Sequence, residues 1–231
     1  MRMKNKVITP DQAIERYLKA GQTWMIGGFG RGGVPFTLLE TVAAVSEVLT
    51  DLTLIKNDAS EPGLGIDLLL SQGMVKKLIA THIGLNPDFI ARMNQGEIAC
   101  ELVPQGIFAE RIRAGGVGIP AFFSDIGLGT EVAEGRQIHQ LNGQPYLLET
   151  ALQGDVAMVC ADRVDRAGNA WWSGSNRNMC VPMVPACRTT IVEAREIVDI
   201  GCIAPENVHI PGVLVNAIVQ AQPRAHMQED V

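Results

Sequence analysis

The amino-acid sequence predicts an α/β protein: an open, mainly parallel sheet flanked by helices, with a small antiparallel β insertion. Short apolar runs alternate with amphipathic segments at intervals of roughly 25 residues in the first half of the chain, as in βαβ units. The segment from about 115 to 150 is instead rich in glycine and turns, and further apolar runs follow it. With 47% apolar residues in 231, the chain can build a substantial core.

This alternation places the elements in order. In the first half it predicts strand and helix pairs at 23–26 and 36–48, 52–55 and 66–71, 77–81 and 87–94, and 98–103 and 108–114. Asn142-Gly143 predicts the turn of a hairpin over 138–148. Further strands are expected at 155–161, 189–193 and 213–219. No linker divides the chain, so we expect one domain over 1–231, with the insertion at about 115–150 and a frayed end from about 224.

Composition and charge exclude several function classes. A net charge of −6 argues against broad nucleic-acid binding but allows a local basic pocket for a small anion. The five cysteines are scattered without a Cys-x-x-Cys pair, which predicts reduced thiols rather than a metal site or a disulfide framework. The basic segment 1–6 precedes no long apolar stretch, so we expect no signal peptide, no membrane span and a cytoplasmic protein.

A glycine-rich loop follows the first predicted strand, with the sequence GGFGRGGVP at 27–35. Glycines allow positive φ and remove Cβ atoms, so backbone N–H groups can face an anion or a developing oxyanion. Pro35 suits the first turn of a helix, whose dipole adds positive potential. We expect a phosphate, carboxylate or carbonyl oxygen to be bound by the loop residues Gly27, Gly28, Phe29, Gly30, Arg31, Gly32 and Gly33. A valine at position 28 should then obstruct the ligand and leave the fold intact.

Two other interpretations of this loop stay open. Gly28, Gly30 and Gly33 also fit the G-x-G-x-x-G pattern of a nicotinamide-dependent oxidoreductase, in which Asp58 would be the acid that holds the ribose. The loop can also be a tight turn that binds nothing.

A longer pattern separates these interpretations. The loop has Gly27-Gly28-Phe29, then Gly33 after three residues and Pro35 after one more. This pattern resembles the first signature of the family I coenzyme A transferases (3-oxoacid CoA-transferases), in which Gly-Gly-Phe-x-x-x-Gly-x-Pro follows an apolar triplet. The resemblance to the alpha subunit continues from about residue 7 to 220, through further blocks at 54–58, 63–65, 103–122 and 165–169. Ala20, Trp24, the segment 125–127 and the segment 177–180 depart from the family pattern.

The resemblance implies the family's fold and its chemistry. CoA would move between short-chain carboxylic acids by a ping-pong mechanism, through a thioester on a glutamate of a homologous beta subunit, in an α2β2 assembly. Coenzyme A and acyl-CoA would be substrates, with no tightly bound cofactor and no metal. This chain has no Glu-Asn-Gly turn; Glu61, in Glu-Pro-Gly-Leu-Gly, is its one candidate nucleophile. A non-catalytic acyl-CoA-binding module with the same fold is the remaining alternative.

Several other side chains carry two interpretations each. Arg31 either pairs with a CoA phosphate or faces solvent. Three lysines lie near the ends of predicted strands: Lys56, Lys76 and Lys77. They either attract a polyanion or are solubilising surface charges.

The remaining aromatic and glycine motifs are also ambiguous. Trp171-Trp172 either stacks on adenine or packs within the protein, and His82 and His209 lack neighbours at metal-ligand spacing, which favours structural roles. Gln105-Gly106 and the glycine-rich run 115–118 either complete the acyl or CoA pocket or are turns that the fold requires.

Overall fold

A computed structural model describes residues 5–45 and 47–224. Its main sheet has seven parallel strands in the order β11-β10-β8-β1-β2-β3-β4, and a two-residue strand, β9, pairs antiparallel with β8. The strands of this sheet are β1 (Thr23–Ile26), β2 (Leu52–Ile55), β3 (Val75–Ala80), β4 (Ala99–Leu102), β8 (Gly154–Asp165), β9 (Ala170–Trp171), β10 (Cys187–Val198) and β11 (Ala217–Gln220).

A second sheet is antiparallel and has three strands in the order β5-β7-β6. They are β5 (Ala121–Ser124), β6 (Ile138–Leu141) and β7 (Gln144–Thr150). Asn142 and Gly143 connect β6 to β7 with φ of 52° and 77°, the two positive values that a type I′ turn needs. The predicted fold class, a mainly parallel sheet with a small antiparallel insertion, is confirmed.

Helices cover both faces of the main sheet. They are α1 (Pro10–Tyr17), α2 (Phe36–Ala43), α3 (Asp67–Ser71), α4 (Pro87–Asn94), α5 (Gln105–Gly116) and α6 (Cys180–Met183). Trp24 and Ile26 of β1 point into the same core as the buried residues of α2, α3 and α4, whereas Met25 points into the core beneath α5 and α6. The near-continuous apolar runs of the strands follow from this burial on two sides.

Local sequence sets the helix starts. Thr9 and Gln12 form a reciprocal capping box at α1, and the Asn86 side chain accepts a hydrogen bond from the Phe89 amide at α4. Each of these helices has proline at its first position, where a missing N–H costs nothing.

Several predicted boundaries are wrong: α5, β8 and β10 are longer than predicted, and two other predicted elements run past the observed ones. The predicted strand 213–219 begins only at Ala217, because Gly212–Leu214 forms a 3₁₀ turn in which Val213 is 86% exposed. The predicted helix 36–48 is α-helical only to Ala43, and turns follow it. Most of the predicted frayed end lies outside the described residues; Arg224, the last described residue, pairs with Glu40 and lies over the Phe36 ring. The one-domain division stays a prediction.

Candidate active site

The candidate site lies where β1 and β2 end. These strands are parallel neighbours, so their carboxyl ends meet at the same edge of the sheet, the usual place for a ligand in an open α/β fold. The glycine loop, 27–35, leaves β1 there, and the segment 56–61, which we call the acidic loop, leaves β2 beside it. Sequence order alone does not show that the two loops touch; the parallel pairing of β1 with β2 brings them together.

Packing and turn geometry explain most glycines of the loop. Phe29 and Gly32 exchange both backbone hydrogen bonds, at 2.9 and 3.1 Å, so the chain reverses through Gly30 and Arg31. Gly28 has φ of 106°, and a Cβ there would lie 2.9 Å from the Val34 nitrogen. Val34 therefore already fills the space that a valine side chain at position 28 would need. The prediction that this variant keeps the fold intact is wrong, because the substitution disturbs the loop itself.

The loop's own contacts use most of its backbone amides. The Gly27 amide donates to the Met158 carbonyl at 2.9 Å, and the Gly30 amide donates to the Asp58 carboxylate at 3.0 Å. The Gly28 amide acts on the Cys180 thiol by lowering its pKa, against the larger raising effect of burial. Within the part of the chain that the structure describes, the amides of Gly33 and Val34 have no acceptor, although both residues are buried. These two amides are therefore candidate donors to a bound anion, because buried N–H groups are almost always paired. The anion site of the glycine loop stays a prediction.

A buried carboxylate also holds the helix that follows the loop. Glu193, from the middle of β10, accepts hydrogen bonds from the amides of Thr37 and Leu38 at 3.3 and 3.0 Å. Burial raises the pKa of Glu193 above its ordinary value despite these hydrogen bonds. The sequence predicts a strand here but gives no sign that this carboxylate caps α2, since the contact joins residues more than 150 positions apart.

The acidic loop contains a buried ion pair. The Lys56 ammonium lies 2.6 Å from the Asp58 carboxylate, and their side chains are 0% and 4% exposed. Burial raises the pKa of Asp58, but the Lys56 charge and the hydrogen bonds from Lys56, Gly30 and Ser60 outweigh burial, so its pKa lies below the ordinary value. The interpretation of Lys56 as a surface charge is wrong: its stem fills the core and Asp58 compensates its charge. The same contacts occupy Asp58, which disfavours the ribose-binding role.

A second ion pair closes the mouth of the cleft between the loops. Arg31 holds Glu61 through two hydrogen bonds, Nε to Oε1 at 3.1 Å and a terminal nitrogen to Oε2 at 2.6 Å. These hydrogen bonds lower the pKa of Glu61 from its ordinary value. Below them lies a shallow cleft with an accessible volume of about 10 Å³, room for one water molecule, lined also by Phe36, Ser60 and Leu85.

Hydrogen bonds hold the acidic loop and the residues after it, and the backbone is strained at one point. Ser60 has φ of 62°, a conformation that non-glycine residues rarely adopt, and its hydroxyl accepts a hydrogen bond from the Ile66 amide. Asp67 accepts from the Gly63 amide at 2.7 Å and from the Asn86 side chain at 2.7 Å. Strain of this kind is found where the surrounding structure fixes a functional site.

The comparisons with known proteins show the family of this chain. The sequence matches the family model described as Coenzyme A transferase over residues 7–221. It is 41% identical over 210 residues to the A-type subunit of a succinyl-CoA:3-ketoacid coenzyme A transferase of Xanthomonas campestris, covering 90% of this chain and 86% of the relative. It is 40% identical over 218 residues to the acetoacetyl-CoA:acetate/butyrate CoA transferase alpha subunit of Clostridium acetobutylicum, covering 94% of this chain and 99% of the relative. This chain belongs to the coenzyme A transferase family.

The fold of the coenzyme A transferases is also that of this chain. An acyl-CoA transferase of Escherichia coli O157:H7 superposes with a TM-score of 0.84 at 21% identity, over 96% of this chain and 48% of the other. This chain therefore spans about half the length of that protein. The resemblance to a coenzyme A transferase alpha subunit, predicted from the sequence, is confirmed.

Trp172 and Gly115, both singled out in the sequence, make structural contacts, whereas Gln105 does not. Trp172 is buried and its indole donates to the Cys160 carbonyl at 2.5 Å, while its amide donates to His209. A Cβ at Gly115 would lie 2.9 Å from the carbonyl carbon of Leu152, so this glycine allows α5 to pack closely. Gln105, at the start of α5, is exposed.

Two searches of the described residues complete the description. None of the helices within 5–45 and 47–224 combines the length and apolar character of a membrane span. Over the same residues, no three His, Cys, Asp or Glu side chains are grouped so as to hold a metal ion.

Proposed function

We propose that this chain is the alpha subunit of a cytoplasmic enzyme that moves CoA between short-chain carboxylic acids of the acetoacetate, acetate and succinate type. It would act with a homologous beta subunit in an α2β2 assembly. The observation that carries the proposal is 40% identity over 99% of an acetoacetyl-CoA:acetate/butyrate CoA transferase alpha subunit. A glycine loop with two unpaired amides, beside a cleft at the carboxyl edge of the sheet, supports it.

The reaction proceeds in two halves on a glutamate of the beta subunit. The carboxylate attacks the acyl-CoA carbonyl and displaces the CoA thiolate, giving a mixed anhydride. The thiolate attacks the glutamyl carbonyl of that anhydride and releases the first acid as its carboxylate, which leaves a glutamyl-CoA thioester. The second acid then reverses both steps, so that its acyl group leaves as the new thioester and the glutamate is regenerated.

This chain's contribution is to stabilise charge. Each step passes through a tetrahedral oxyanion, and one preorganised N–H donor contributes about 3 kcal/mol to such a species. The amides of Gly33 and Val34, just before α2, are the donors that we assign to this task. The remaining loop residues, Gly27, Gly28, Phe29, Gly30, Arg31 and Gly32, shape the loop and the mouth of the CoA site.

Glu61 is a poor nucleophile in this arrangement. Arg31 holds both of its oxygens and lowers its pKa, which stabilises the carboxylate and reduces its reactivity. We therefore place the nucleophile on the partner chain.

Reconstitution tests the proposal. The chain alone, the cognate beta-type polypeptide alone and their mixture are assayed for transfer from acetoacetyl-CoA to acetate and to succinate. Activity in the mixture only, abolished by replacing the partner's turn glutamate with glutamine, is the expected result. CoA binding without transfer in the mixture would support the non-catalytic binding module, and NAD(H) binding would support the oxidoreductase.

A further inference from the structure

The tip of the glycine loop is held by a charged pair from the neighbouring strand. Asp58 Oδ2 accepts a hydrogen bond from the Gly30 amide at 3.0 Å, and Oδ1 accepts from Lys56 Nζ at 2.6 Å and from the Ser60 amide at 2.9 Å. Gly30 is the turn residue between Phe29 and Gly32, with φ of 56°. The carboxylate thus joins the buried end of β2 to the exposed tip of the loop.

Packing does not explain why the loop tip lies where it does. A Cβ built on Gly30 would meet nothing within 4 Å, so no atom packs against this side of Gly30, although the neighbouring Gly32 lies against Asn176. Phe29, beside it, is 51% exposed. Directional contacts therefore help to fix Gly30, and its hydrogen bond to Asp58 links it to the buried end of β2, while the Arg31 to Glu61 pair is exposed.

A buried ion pair is a poor means of gaining stability. Replacing such a pair with apolar residues of similar volume is often neutral or stabilising, because desolvation offsets the attraction. Lys56 and Asp58 nevertheless occupy a fully buried position directly beneath the loop. The pair makes physical sense if Lys56 keeps Asp58 charged and oriented toward Gly30.

We infer that Lys56 and Asp58 are positioning residues that fix the tip of the glycine loop, and through it the amides of Gly33 and Val34, in the geometry that transfer needs. The inference rests on the proposed function for its effect on transfer, but not for its effect on the loop. In this inference Asp58 acts through the Gly30 amide and not through contact with a reacting atom.

Two charge-neutral double variants separate the hydrogen bond from the charge. In K56M/D58N the amide oxygen at 58 can still accept from Gly30, whereas K56M/D58L has similar volume and no acceptor. With the beta subunit present, we expect K56M/D58N to keep kcat within about threefold of wild type and K56M/D58L to lose roughly tenfold or more, with KM for acyl-CoA changed less than kcat. The single variant D58N, in which Lys56 competes for the amide oxygen, should fall between them.

Hydrogen exchange of the loop gives a second measurement that needs no activity. The amides of 29–32 should exchange about tenfold faster in K56M/D58L than in K56M/D58N, with the amides of β1 and β2 unchanged. E149Q is the matched control: Glu149 is also a buried carboxylate in an ion pair, with Arg136, but lies in the antiparallel sheet. We expect E149Q to change neither loop exchange nor kcat per folded enzyme.

The outcomes are distinct. Equal loop exchange and equal kcat in the two double variants would overturn the inference, even with a fully active wild type. A wild type inactive with its partner would defeat the proposed function, while the exchange comparison would still decide whether the pair anchors the loop. If K56M/D58L does not fold, D58N is compared with wild type: unchanged loop exchange overturns the inference, and faster exchange confined to 29–32 supports it.

Discussion

Two buried aspartates at the carboxyl ends of parallel strands differ in the reach of their hydrogen bonds. Asp165, at the end of β8, accepts from the amides of Ala167 and Asn169 at 2.9 and 3.0 Å and from the Asn169 side chain at 2.7 Å. All of these donors belong to its own turn. Asp58 accepts from Ser60 in its own turn, but also from Gly30 in the loop of the neighbouring strand.

This difference separates a fold-forming turn from a site-forming one. The same chemistry, a carboxylate that satisfies backbone amides at a strand end, closes a local turn at 165–169 and joins two strands' loops at 58. A change at Asp165 should therefore act on stability, and a change at Asp58 on the geometry of the glycine loop.

The largest expected effect is on stability at Asp165. D165A removes the acceptor of three hydrogen bonds and leaves buried donors unpaired, so the free energy of unfolding should fall by about 3 kcal/mol or more. Urea denaturation measures this. Activity per folded molecule should stay at the wild-type value; a specific loss of kcat would erase the distinction between the two aspartates.

Alanine substitutions at two glycines of the loop compare a position fixed by packing with one that is not. G28A combines a φ of 106° with a Cβ 2.9 Å from the Val34 nitrogen, so we expect about 3 kcal/mol of destabilisation. G30A has φ of 56° and open space around the Cβ, and should cost about 1 kcal/mol. Thermal unfolding of the pair measures the difference, and equal losses would mean that Val34 moves aside freely.

Acid stability should reveal the charge of Asp58. Because its folded pKa lies below the ordinary value, Asp58 stabilises the fold above the unfolded-state pKa of about 3.9, and this stability is lost as pH falls through the folded pKa. The free energy of unfolding should therefore drop more between about pH 5 and pH 3 in wild type than in K56M/D58L. If the free energy of unfolding changed with pH by the same amount in both proteins, Lys56 and Asp58 would not be an ionised pair in the folded protein.

The smallest effect is chemical and leaves stability unchanged. Burial raises the pKa of the Cys180 thiol, which backs Gly27, to about 12, whereas Cys202 is exposed on the turn after β10. Iodoacetamide at pH 8 should label Cys202 first and leave Cys180 unmodified in the folded protein. Peptide mass mapping reads this out; early labelling of Cys180 would mean that the packing behind the glycine loop opens.

Sequence patterns predict the sheet well because strand burial has a direct signature. Apolar runs such as Leu52–Ile55 are buried from both sides, and the glycine loop falls where a strand ends. Lys56 could not be recognised as buried, since a lysine after a strand is usually a surface charge and its partner becomes evident only in the fold. The Glu193 cap and the late start of β11 depend on distant contacts, since the Gly212 amide of the preceding 3₁₀ turn donates to the Asn169 side chain.

The intact masses of both subunits after incubation with acetoacetyl-CoA test the central claim most directly. We predict a CoA adduct on the beta subunit, lost when its turn glutamate is replaced, and no adduct on this chain. A CoA adduct on this chain at Glu61 would contradict the assignment of the nucleophile to the partner and would make this chain the nucleophilic half of the enzyme.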